Sequence, residues 1–277
     1  MTHHSPRPVA LTIAGSDPSG GAGIQADLKT FSALGAFGTT VITALTAQNT
    51  RGVTGVHAIP VDFVHQQLQT LTDDVRIDTV KIGMLASAEL VHAVGEWLAK
   101  PPLNQVPIVL DPVMVATAGS TLLESDAVAA LREILPLASL ITPNLPEAGV
   151  LLNTPPATSL PEMREQADAL RELGTAVLLK GGHLDGPEAV DLLADSEGVR
   201  EVSAPRVPTR NTHGTGCTLS SAIAALRPQR AGWFEAVRDA KAWLTEALLH
   251  ADGLAIGHGS GPVDHLHAWT APSSPVD

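Results

Sequence analysis

Short, almost unbroken apolar runs alternating with stretches of helical periodicity constrain this chain more than any other feature. Val106 to Leu110 is the clearest such run. A strand with that pattern has both faces covered, the condition of a parallel sheet between helices. Val9 to Ala14, Thr39 to Ala47, Thr79 to Ile82, Ser139 to Thr142 and Ala176 to Leu179 read as further strands. Between them, Ile24 to Leu34, Val61 to Leu71, Ser87 to Leu98, Ala127 to Leu135 and Pro161 to Leu173 read as helices; in the third, Leu90, Val91, Val94, Trp97 and Leu98 share one face. Ala189 to Ala194 and Val199 to Ser203 read as an antiparallel pair at the sheet edge, and Ala236 to Ala251 as a late helix. The order predicts an α/β fold: a mainly parallel central sheet, helices on both faces and a small edge hairpin. No internal repeat or long linker divides the chain. One domain is expected over 1–277, with 1–8 and about 268–277 as flexible tails.

Composition excludes several classes of function. Aromatics are 3% of the 277 residues and tyrosine is absent, so the core is built from Ala, Val, Leu and Ile. A net charge of −12 argues against a general nucleic-acid or anionic-membrane binder, but leaves room for a local anion pocket. No run of about 18 apolar residues is available to span a membrane, and Met1 to Pro8 carries no apolar signal segment. The single cysteine forbids an intrachain disulfide and suits a reducing cytoplasm. The eleven histidines show no tight ligand spacing with a carboxylate partner.

Chemistry concentrates in Asn211-Thr212-His213-Gly214-Thr215-Gly216-Cys217-Thr218, ahead of a helix expected over Thr218 to Leu226. A helix start offers unpaired N–H groups and partial positive charge, and glycines there admit a phosphate. Cys217 falls in the first turn, where the helix dipole is expected to favour its thiolate; a buried, inert cysteine is the alternative. His213 reads as a loop or helix-entry residue.

Other candidates sit at predicted strand ends. Gly15 to Gly23 is a glycine loop between strand and helix, without the lysine of a Walker loop. Gln48 carries a donor and an acceptor able to read a pyrimidine-like edge, or is an idle surface glutamine. Asp111 ends a buried strand, where open α/β sheets bind ligands. Asn144 and Glu147 have the spacing of a capping box, or place a carboxylate near a metal–phosphate group. Lys180, beside Gly181 and Gly182, either neutralises a phosphate or snorkels to solvent.

Taken in order, Ala14 to Thr30, Val41 to Thr50, Lys81-Ile82-Gly83-Met84, Asp111-Pro112-Val113-Met114, Thr142 to Glu147, Leu179 to His183 and the Asn211 segment resemble the hydroxymethylpyrimidine kinase/phosphomethylpyrimidine kinase family of thiamine biosynthesis, in the ribokinase-like fold. The resemblance implies ATP- and Mg²⁺-dependent phosphorylation of 4-amino-5-hydroxymethyl-2-methylpyrimidine, first to the phosphate and then to the diphosphate. It assigns Gln48 to the pyrimidine edge, with Gly15, Asp27, Met84 and Val113 shaping the pocket. Lys180, Asn144, Thr212 and Gly214 fall to the nucleotide, and Asp111 and Glu147 to Mg²⁺ through water. Gly214, Thr215 and Gly216 form the anion hole, and Cys217 is the base. A homodimer is also implied. The rivals are a pyridoxal or pyridoxine kinase of the same fold and a pyrimidine-binding regulatory protein without turnover. Ala116 to Ser120 and Leu184 to Glu188 are candidate closing loops.

Overall fold

A computed structural model describes residues 6–114 and 125–269. Parts of both expected tails and the candidate closing loop Ala116 to Ser120 lie outside the described residues. In chain order the elements are β1 (Val9–Ala14), α1 (Gly23–Ala33), β2 (Phe37–Ile42), β3 (Ala44–Asn49), β4 (Gly52–Ala58), α2 (Val61–Thr72), β5 (Thr79–Ile82), α3 (Ala88–Leu98) and β6 (Ile108–Leu110). Then follow α4 (Ser125–Ile134), β7 (Leu140–Ile141), α5 (Leu145–Leu152), α6 (Leu160–Arg171), β8 (Ala176–Lys180), β9 (Glu188–Asp195), β10 (Gly198–Pro205), α7 (Thr215–Leu226) and α8 (Trp233–Leu249).

The apolar runs are explained by what lies on each side of them. Side chains alternate across a strand, and here both directions lead into hydrocarbon. Ile108, Leu110, Val177 and Leu179 face one core, which α2 to α6 cover with residues such as Leu68, Leu90, Leu131, Leu151 and Met163. Val109, Leu178 and Leu193 face the other, covered by Phe31 of α1, Ile223 of α7 and Leu244 of α8. Eight strands form one sheet in the order β10-β9-β8-β7-β6-β5-β1-β2. Pairing is parallel from β2 to β8. β9 runs antiparallel to β8, and β10 to β9, which makes the edge hairpin expected from the sequence.

The connection from β1 to β2 passes over one face through α1, and that from β5 to β6 passes over the other through α3. The strand order therefore reverses between β1 and β5, where a crevice opens at the carboxyl ends.

One expected strand is two. Thr39 to Ala47 breaks at Thr43, whose N–H donates to Ala14 O at 3.0 Å and whose hydroxyl donates to Met84 O at 2.7 Å. Beyond it the chain leaves the main sheet, and β3 pairs antiparallel with β4 as a separate ribbon. The break is silent in the sequence because Val, Ile, Thr and Ala continue through it.

Candidate active site

The glycine loop after β1 and the glycine run before α7 are pressed together. Gly214 caps α7 with φ +75°, and a Cβ there would lie 1.8 Å from Gly21 O. Only glycine meets both demands. The helix starts at Thr215, three residues earlier than expected, because Gly214 supplies the turn into it. Its first i→i−4 bond runs from Thr218 N–H to Gly214 O at 2.8 Å, while Thr215 N–H turns back to Thr212 O at 3.2 Å. The N–H groups of Gly216 and Cys217 thus precede the ladder, at the positive end of the dipole. A Cβ on Gly216 would stand 3.2 Å from Lys180 Nζ and 3.7 Å from Asp111 Oδ2, so the bare glycine keeps this mouth open.

Around that helix start the strand ends deliver charge. Lys180 donates to Asp111 Oδ1 at 2.9 Å, and Asp111 also accepts from Thr142 Oγ1 at 3.0 Å and from Ser220 Oγ at 3.3 Å. Burial works against ionising Asp111, but Lys180 and Lys81 outweigh it and hold the carboxyl below its usual range. Burial likewise opposes the charge on Lys180, yet Asp111 and Glu147 hold its ammonium above the ordinary lysine range. Asn144 and Glu147 do form the capping box of α5: Asn144 Oδ1 accepts from Glu147 N–H at 2.9 Å, and Glu147 Oε2 accepts from Asn144 N–H at 2.8 Å. Glu147 still borders the cleft. Burial raises its carboxyl to about 7, with Asp111 adding to the rise and Lys180 opposing it.

Gly15, Gln48, Met84, Val113, Asp111, Asn144, Glu147, Lys180, Thr212, Gly214, Thr215, Gly216 and Cys217 all border one cleft of about 800 Å³. Gly15 is small for a visible reason: a Cβ there would meet Met84 Cε at 2.6 Å. Leu184 to Glu188, the other candidate closing loop, borders a neighbouring hollow with Ser159 and Pro205.

Asp27 departs from expectation. It is fully buried and does not border the cleft. Both its oxygens lie 2.9 Å from Lys81 Nζ, and it accepts from Thr12 Oγ1 and Ser221 Oγ at 2.6 Å each. Its carboxylate is wholly engaged by this set, so it supports the floor of the site instead of lining it. The predicted acidity of Cys217 is also reversed. Burial pushes the thiol above its ordinary range; Lys81 opposes this, and Asp111 and Asp27 add to it. The loss of water, with the nearby carboxylates of Asp111 and Asp27, outweighs the help of Lys81 and of the helix start.

Three residues without a site role assigned from the sequence complete the cleft: Asp17, Lys81 and His213, the last read only as a loop or helix-entry residue. Asp17 accepts from Ser19 N–H at 2.8 Å, Ser19 Oγ at 2.6 Å, Ala22 N–H at 2.9 Å and His213 Nε2 at 2.8 Å. Burial alone would raise its carboxyl; the bonds from His213, Ser19 and Ala22 instead bring it to about 2. Gly21 yields the space, since a Cβ there would sit 2.3 Å from His213 Cδ2. The signal available beforehand was the Asp-Pro-Ser-Gly turn after β1, in which an Asx-type carboxylate ties down the loop.

The chain matches the sequence model of a family described as phosphomethylpyrimidine kinase over residues 17–264. It is 59% identical over 262 residues to the hydroxymethylpyrimidine/phosphomethylpyrimidine kinase of Escherichia coli, covering 94% of this chain and 98% of that one. Among solved structures, a phosphomethylpyrimidine kinase from Clostridium difficile superimposes with a TM-score of 0.77 at 41% identity, over 87% of this chain and all of the other. An ADP complex of Bacillus subtilis pyridoxal kinase superimposes with a TM-score of 0.87 at 36% identity, over 96% of this chain and all of the other. The two names differ in substrate, and the higher sequence identity lies with the pyrimidine kinases. A cleft at the strand-order reversal, an open helix start and a paired lysine and aspartate at its mouth therefore agree with the sequence match: the chain belongs to the phosphomethylpyrimidine kinase family and is a phosphotransferase.

Proposed function

We propose that this enzyme transfers the γ-phosphoryl group of ATP to the hydroxymethyl oxygen of 4-amino-5-hydroxymethyl-2-methylpyrimidine, and then a second phosphoryl group to the resulting phosphate. The observation that carries the reading is the start of α7, where the free N–H groups of Gly216 and Cys217 meet the ammonium of Lys180 at an opening no side chain blocks. Phosphoryl transfer asks mainly for positioning and for stabilised negative charge, which this arrangement supplies.

Gln48 receives the pyrimidine edge, with Gly15, Met84 and Val113 around the ring. Thr212, Gly214, Asn144 and Lys180 hold the nucleotide phosphates. In the first step, Cys217 as thiolate takes the proton of the hydroxymethyl group as its oxygen bonds to phosphorus and the bond to ADP breaks. In the second, the nucleophile is a phosphate oxygen that is already ionised and needs no base.

Mg²⁺ fits the mouth of the cleft. Glu147 is a buried carboxyl whose cost of ionisation Lys180 alone does not fully offset, and Asp111 stands beside Lys180. Among the described residues no group of three or more His, Cys, Asp and Glu forms a full protein cage. Mg²⁺ readily keeps its waters and binds through one or two carboxylates and substrate phosphates. Bound there, it would supply positive charge to the phosphate oxygens.

We further propose a cytoplasmic homodimer. Leu45 and Val56, about half exposed on the β3–β4 ribbon, support association. Incubation with ATP and the pyrimidine alcohol, followed by separation of products, tests the function: monophosphate and then diphosphate are expected. Neither product, or preferential phosphorylation of pyridoxal in direct competition, overturns it.

A further inference from the structure

We propose that His213 is a specificity-determining positioning residue, which fixes the direction of the Gln48 amide and so selects a ring that carries an amino donor beside its hydroxymethyl group. The inference rests on the pyrimidine reading above and deepens it.

Asp17 is an ionised acceptor, so the His213 nitrogen 2.8 Å from it donates, and Nε2 carries the hydrogen. The same Nε2 lies 3.3 Å from the Gln48 amide nitrogen. Two donors cannot bond to one another. On the other side, the Thr46 hydroxyl lies 2.8 Å from Ser16 O and 3.1 Å from the Gln48 amide oxygen. One hydroxyl hydrogen cannot serve both acceptors fully, and the shorter contact claims it. Both conflicts vanish when the amide is turned by half a rotation, an assignment that rests on the hydrogen-bond network. Gln48 Oε1 then shares the His213 hydrogen, and its NH₂ donates to Thr46 Oγ1. Asp17, Thr46, Gln48 and His213 all border the cleft, so the orientation is imposed where a ligand binds.

Gln48 then keeps one free N–H on the Thr46 side and one oxygen lone pair on the His213 side. A ligand must offer an acceptor to the first and a donor to the second. The aminopyrimidine edge does this with its ring nitrogen and its 4-amino group. The 4-amino group adjoins the hydroxymethyl carbon, so the reacting oxygen is carried toward the His213 side, from which the chain enters the Gly214 to Cys217 turn. With the amide reversed, the same edge binds backwards.

The test compares the alcohol substrate with 5-hydroxymethyl-2-methylpyrimidine, which lacks the amino donor, in wild type, His213→Phe and His213→Gln. Wild type should prefer the amino compound by roughly a hundredfold in kcat/KM. In His213→Phe that preference should fall about tenfold, the weight of roughly one hydrogen bond, through a raised KM for the amino compound alone. His213→Gln keeps a donor at the end of its side chain and should restore most of it. An unchanged preference in His213→Phe, or equal loss in both variants, overturns the inference. Should His213→Phe fail to fold by circular dichroism, Thr46→Val decides: a reduced preference supports the network and an unchanged one refutes it. If wild type phosphorylates neither compound, the functional reading itself has failed.

Discussion

Cys217 is the side chain on which burial and chemistry pull hardest against each other. Its thiol is pushed above the free-cysteine range by burial, while Lys81, held by Asp27, works in the opposite direction. Only the thiolate accepts a proton, so the first phosphorylation should accelerate as pH rises from neutrality to beyond about 8.5, the free-thiol value. The second uses an ionised phosphate and should lack that limb. Separate pH–rate profiles for the alcohol and its phosphate check this. Cys217→Ala should lower kcat for the alcohol by roughly a hundredfold or more, and for the phosphate by much less. A cysteine in a first helical turn was legible in the sequence. The direction of its shift was not, because its burial is set by the fold and the charges around it, Lys81, Asp111 and Asp27, come from β5, the end of β6 and α1, none of them near it in the chain.

At the scale of the element, the start of α7 separates what shape requires from what catalysis requires. Gly214 has a left-handed conformation and no space for a Cβ, whereas Gly216 is helical and faces the cleft. Gly214→Ala should therefore reduce stability and solubility, because the contact at 1.8 Å is with backbone that cannot yield. Gly216→Ala should unfold within a few degrees of wild type, since Lys180 can swing aside, yet lose activity on the order of a hundredfold by occupying the phosphate position. Thermal melts alongside kcat measurements distinguish the two. Glycines ahead of a helix marked this place in the sequence. Which of them is demanded by the fold follows from Gly21, which no local pattern connects to Gly214. The capping box at Asn144 and Glu147 teaches the converse: the structural reading of the motif holds, and the cap itself leaves the carboxylate at the cleft, where the proposed metal role needs it.

For the whole molecule, the alternation of strand and helix was legible because strands covered on both faces are apolar at most positions. The reversal of strand order between β1 and β5 was not, since it depends on which face each helix crosses. A global consequence lies at His265, 3% exposed and bonded to Thr218 Oγ1 at 3.0 Å. Burial, with the charges of Lys29 and His267, lowers its pKa from 6.5 to about 3. The unfolded chain gains a proton below 6.5 that the folded one refuses until about 3, so stability falls as pH drops through that interval. Denaturant midpoints measured between pH 7 and 4 should fall with acid, and His265→Gln should flatten the slope. An identical slope in the variant would place acid sensitivity elsewhere.

The contact between Asp17 and His213 joins positions 196 residues apart, and the loop bearing His213 is in turn held by Gly261 O at 3.0 Å. During synthesis, the polypeptide through Gly261 must therefore leave the ribosome before the cleft can close around a substrate. Turnover thus serves as a clock for the arrival of Gly261, and a nascent chain halted short of it should be folded in part yet catalytically silent.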